Sequence, residues 1–138
     1  MLELRYPVLA IDHDPIMVWV YKSEDELTQW ARKDSMVGWR LIDMTGRSTV
    51  VESMTRLGWS EPLRASHIFL FGARRRRVEL ELADKGTLTW EEVQAILLQT
   101  FSTSRFWDEG LLSRAKRMVT KATRLPEFIR KYQRMMGD

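Results

Sequence analysis

The chain has 138 residues, of which 44% are apolar and 30% charged, with a formal charge of +3 and no cysteine. That length suits one domain with its own core, and the balance argues against disorder. No run approaches the roughly 18 apolar residues of a membrane span. The lack of cysteine excludes a disulfide scaffold, a thiolate nucleophile and any Cys-ligated metal, so a reducing cytoplasm is the expected location. The opening Met1-Leu2-Glu3-Leu4-Arg5 has no basic-then-apolar signal region, since Glu3 and Arg5 interrupt it.

In chain order, Tyr6 to Ile11 and Ile16 to Tyr21 are apolar runs separated by Asp12-His13-Asp14-Pro15, the pattern of a hairpin. Ile16, Val18 and Val20 alternate with Met17, Trp19 and Tyr21, so both sides are apolar and the second strand is predicted to be central. Ser23-Glu24-Asp25-Glu26 is a capping box, opening a helix over about 24–34 with Leu27, Trp30 and Ala31 on one stripe. Gly38 to Asp43 and Ser48 to Glu52 then form a hairpin around Met44-Thr45-Gly46-Arg47, with Gly46 free to take the positive φ of the turn. Trp59 to Leu63 reads as an irregular connection. His67 to Phe71 and Val78 to Leu82 are predicted to pair, which places Gly72 to Arg76 in a turn and projects Arg74, Arg75, Arg76 and Arg77 from its tip.

Thr89-Trp90-Glu91-Glu92 is a second capping box, followed by Val93, Ile96, Leu97, Thr100 and Phe101 at helical spacing. A basic amphipathic helix starts after Asp108-Glu109-Gly110, with Leu111, Leu112, Ala115, Met118 and Val119 as its apolar stripe. Pro126 suits the first turn of a last helix that carries Phe128, Ile129, Tyr132 and Met135/Met136. The fold class is therefore α+β: a mainly antiparallel sheet of five to six strands, one short helix between strands, and two to three C-terminal helices, in a single domain spanning 1–138.

Catalytic signatures are sparse. The two histidines, His13 and His67, fall far apart, and Asp12-His13-Asp14 has no continuation that would complete a metal shell. The glycines form neither a phosphate-binding loop nor a nucleophile elbow. The expectation is a binding protein without catalytic activity, cofactor, metal or membrane partner. An enzyme built on carboxylates alone is a third reading, because folding can bring two acidic groups together.

Charge is distributed unevenly. Residues 111–138 hold eight Lys/Arg against two Asp/Glu, whereas residues 1–73 hold eight against ten. Arg74–Arg77 can be a solvated tip, a contact for an acidic protein, or a contact for phosphate, since arginine pairs bidentately with either anion. Arg114, Arg117, Lys121 and Arg124 recur at spacings of three or four and extend such a surface. Trp59 and Trp107 fall in predicted loops, where tryptophan beside arginine commonly anchors an interface. The candidate partner-binding residues are thus Trp59, Arg74, Arg75, Arg76, Arg77 and Trp107.

Residues 20–52 pass from Val20-Tyr21-Lys22-Ser23-Glu24-Asp25-Glu26-Leu27 through a Trp-bearing helix to Gly38-Trp39-Arg40-Leu41-Ile42-Asp43 and Thr45-Gly46-Arg47. This block resembles small bacterial immunity proteins, which protect toxin-producing cells that use contact-dependent inhibition or type VI secretion. The resemblance implies tight binding of one cognate toxin domain, with its active site or substrate surface blocked, and assigns no site residues. Inhibitors of nuclease toxins often meet a basic cleft with an acidic surface. On that comparison, either the acidic N-terminal half makes the contact or the toxin is not a basic nuclease. The rival reading is a small nucleic-acid-binding regulator that uses Arg74–Arg77 and the basic C-terminal helices.

Overall fold

The computed structural model describes residues 3–13, 16–29, 36–59, 76–104 and 108–136. Strands β1 (Val8–His13), β2 (Ile16–Tyr21), β3 (Arg40–Ile42), β4 (Arg47–Trp59) and β5 (Arg76–Thr87) form one antiparallel sheet in the order β2-β1-β3-β4-β5. Helix α1 (Glu24–Gln29) interrupts the strands, and α2 (Trp90–Thr103), α3 (Glu109–Lys121) and α4 (Leu125–Met135) follow them. The expected α+β class and mainly antiparallel sheet are both present.

Two cores cover opposite faces of the sheet, because strand residues alternate between them. Leu9, Ile11, Val18 and Ile42 face the C-terminal helices, where they meet Val93, Leu97, Phe101, Ala115, Val119, Phe128, Ile129 and Tyr132. Val8, Ala10, Tyr21, Leu41, Val51 and Leu80 face the other way, with Leu27 of α1, Met36 and Trp39. Tyr132 ties the helical layer to the sheet: its ring lies 5.4 Å from that of Phe128, and its hydroxyl donates to the Val18 carbonyl at 2.7 Å. Burial pushes that hydroxyl's pKa upward, so it stays a neutral donor.

The structure corrects two expectations. Among the described residues β2 lies at the edge of the sheet, and the central strand of that trio is β1, which pairs with β2 and with β3. Apolar residues on both sides of β2 reflect a sheet covered on both faces, which says nothing about how many strands flank it. Second, β5 pairs with β4, whose strand runs on to Trp59. Arg76, expected to end the turn, consequently belongs to β5, with Arg77 after it. Trp59, expected to open an irregular connection, is instead the last residue of β4, because backbone pairing to a long partner overrides weak local strand preference. The expected strand His67–Phe71, the tip residues Arg74 and Arg75, Trp30 and the remainder of the helix expected to reach residue 34 lie outside the described residues.

The β4–β5 ladder is irregular in two informative places. Between Arg47↔Thr87 and Thr49↔Asp84, β5 gains a residue, and Gly86 sits there at φ +87° with its amide donating to the Asp84 carboxylate at 2.9 Å. A bulge with a left-handed glycine is how a strand absorbs one extra residue. Between Val51↔Leu82 and Ser53↔Glu81, β4 gains one instead.

The helix starts follow their sequence signals. Thr89 accepts from the Glu92 amide at 3.2 Å while the Glu92 carboxylate accepts from the Thr89 amide at 3.0 Å, a reciprocal box. Ser23 accepts from the Glu26 amide, but Glu26 reaches back to the amide of Lys22, one residue earlier than the standard box. Asp108 caps α3 by accepting from the Leu111 amide at 2.8 Å.

Candidate functional site

Helix α3 is held by its narrow inner face. Ala115 and Val119 are fully buried, and small Ala115 lets the helix lie close to its neighbours. Its last carbonyls are satisfied by α2: the Trp90 indole N–H donates to Ala122 at 2.9 Å and the Gln94 amide donates to Val119 at 2.8 Å. A helix anchored in this way leaves its outer face free of structural duty.

That outer face is cationic. Arg114, Arg117 and Lys121 are exposed, and with half-buried Met118 and Lys131 of α4 they line an open groove of about 310 Å³. Across the groove Lys131 lies 3.3 Å from the Glu127 carboxylate. The pKa of Glu127 is lowered to about 2, chiefly by the Thr123 amide and hydroxyl and then by Lys131, so its charge is engaged at the start of α4. Among the described residues no hydrogen bond or ion pair engages Arg114, Arg117 or Lys121. A cation in the last turn complements the negative end of a helix dipole, which accounts for Lys121. It does not account for Arg114 in the middle of the helix. Arg124, expected on the same stripe, lies past the end of α3 at the start of α4.

The other candidates fall at the far end of the sheet or outside the described residues. Trp59 and Arg76 are Cα partners at the last pairing of β4 with β5, and Arg77 follows in the strand. The structure thus places Trp59 opposite Arg76, the first strand residue of the arginine run, in backbone register. Arg74, Arg75 and Trp107 lie outside the described residues.

A second cleft, of about 690 Å³, is lined by Glu3, Leu4, Arg5, Tyr6, Asp43, Thr45, Arg47 and Thr87. Its carboxylate is committed to the fold. Asp43, 1% exposed, accepts from the Thr45 hydroxyl at 2.6 Å and from the amides of Thr45, Arg47 and Arg5 at 2.9, 3.0 and 3.1 Å. Burial acts to raise its pKa, but these donors together outweigh burial and hold it below the ordinary value. Such a carboxylate is a poor proton acceptor. Tyr6, nearby, is pushed up to about 12 by burial and by the charge of Glu24, and is therefore neutral at physiological pH.

Sequence reasoning found the cations of α3 but missed Met118 and Lys131 as parts of the same groove. Met118 read as part of the apolar stripe, and it does pack against the helical core while also lining the groove, whereas Leu111, read the same way, is 36% exposed. Both lie on the margin of that stripe, and this position was the available signal. Among the described residues no helix is long and apolar enough to cross a membrane, and no three acidic or imidazole groups gather to hold a metal ion. Comparison with known protein families, with characterised proteins and with solved structures finds no match.

Proposed function

We propose that this chain is an inhibitory binding protein of the immunity type, acting in the cytoplasm by covering the active site or substrate surface of a cognate toxin domain. The observation that carries the reading is the cationic face of α3. Among the described residues, Arg114, Arg117 and Lys121 flank Met118 with no ion pair or side-chain hydrogen bond, on a helix whose inner face packs into the core. Charges left outward on a rigid element steer association with an oppositely charged partner and fix its register. A cationic face leaves the acidic N-terminal half or a toxin with an acidic surface as the two routes compatible with the resemblance over residues 20–52. It favours the second.

Co-expression with a toxin encoded immediately upstream tests the reading. Growth rescue together with a co-purifying complex is the expected result; no rescue and no complex would end it. The second reading, a nucleic-acid-binding regulator, draws on the same α3 cations and on Arg74–Arg77. It requires a salt-dependent mobility shift that disappears when those arginines are replaced.

A further inference from the structure

We infer that the outer face of α3 is the docking groove for an acidic amphipathic helix of the partner protein, with its apolar residues over Leu111 and Met118 and its carboxylates against Arg114, Arg117 and Lys121. This rests on the reading of the chain as a partner-binding protein and adds which surface is used and what chemistry it accepts.

Leu111, Arg114, Met118 and Lys121 succeed one another at steps of three, four and three, so they lie along one side of the helix. Arg117 joins Arg114 and Lys121 on the flank away from buried Ala115 and Val119. The face therefore grades from an apolar line, Leu111 and Met118, to a cationic line, Arg114, Arg117 and Lys121. The span from Leu111 to Lys121 is about 15 Å, close to three helical turns, which is the footprint of a short helix laid in a groove.

Charge complementarity fixes the sign of the occupant. Three cations with no ion pair among the described residues and a fourth shared with Glu127 surround the groove, so an apolar segment without carboxylates would leave them unmatched in a partly desolvated interface. The thioether floor favours a protein segment over nucleic acid. Methionine adapts to apolar side chains of varied shape, whereas single-stranded nucleic acid is held by aromatic stacking platforms. The groove is lined by cations and Met118, with Leu111 at the head of the same face.

The test uses fluorescence anisotropy with the full chain and three probes at about 150 mM salt. One is a synthetic acidic helix with leucines at helical spacing. The second has the same charge with its leucines replaced by serine. The third is a DNA oligonucleotide of matched charge. The expected result is binding of the first, at least tenfold weaker binding of the other two, and about a tenfold loss for the first in R114E/K121E and in Leu111→Ser. Circular dichroism melts matching the wild type show that these variants fold. Equal binding of the leucine-free peptide, tighter binding of the oligonucleotide, an unaffected R114E/K121E variant, or concentration-dependent self-association lost in that variant would each overturn the inference. Toxin rescue by a chain that ignores the peptide would discard this groove and leave the immunity reading standing. Peptide binding without rescue would do the reverse.

Discussion

The Asp43 turn and the outer face of α3 are both concentrations of charge, used in opposite ways. At the β3–β4 turn one carboxylate is buried and takes four hydrogen bonds from Arg5, Thr45 and Arg47, joining the N-terminal segment to the hairpin. On α3 three cations stand in solvent and engage no described group. The difference teaches where each kind of charge belongs. A buried ion is tolerated only when its hydrogen-bonding capacity is filled, so it serves the fold. An exposed ion contributes little to stability and keeps its field available to a partner.

Breaking the first region therefore costs stability and leaves recognition alone. Asp43→Ala strips the acceptor from three amides and is expected to cost about 3 kcal/mol, read by urea denaturation, with acidic-peptide affinity per folded molecule unchanged. A destabilisation below about 1 kcal/mol would show that water replaces the carboxylate. Gly46→Ala in the same turn comes next, at about 2 kcal/mol. Its φ is +91°, and an added Cβ would stand 2.5 Å from the Leu88 carbonyl oxygen, which is backbone and cannot swing away. Tyr132→Phe removes one buried hydrogen bond to Val18 at the join of helices and sheet, and is expected to cost about 1 kcal/mol. The smallest stability effect belongs to the second region: R114E/K121E should cost under about 1 kcal/mol, most of it from reversing Lys121 at the negative end of the α3 dipole, while abolishing most partner affinity.

Acid sharpens the contrast. Asp43 has a folded pKa below its unfolded value of about 3.9. Its contribution is therefore complete above that unfolded value and is lost as pH falls through the lower folded value. Stability should fall on acidification below about pH 4; Asp43→Asn should make that part of the profile shallower, leaving the slope due to Glu127, whereas R114E/K121E should retain it.

Much of this fold is legible in the chain. The segment Gly38-Trp39-Arg40-Leu41-Ile42-Asp43 with Gly46-Arg47 carries the resemblance, and its residues have folding roles. Gly38 takes φ +90° and donates to Val51, Trp39 is buried, Asp43 organises the turn and Gly46 completes it. The block therefore reports a hairpin design more directly than a partner. The cap at Thr89 was readable because it pairs a short polar side chain with a glutamate at fixed spacing, whereas Asp108 caps a helix that was expected to start only after Gly110. What was not readable is long-range. Nothing local marks β2 as an edge strand or selects β4 as the partner of β5, since both depend on which backbones meet. The groove was half legible: cations at helical spacing declare a face, but Lys131 joins it only once α4 folds back beside α3.

The central claim is that recognition resides on α3 and stability resides elsewhere. Its most direct test is the affinity of the upstream-encoded toxin domain for wild type and for R114E/K121E, measured by titration calorimetry on samples with matched melting temperatures. The account predicts at least a tenfold loss of affinity in the variant, with a weaker dependence on salt. Equal affinity for both proteins, with equal salt dependence, would contradict it.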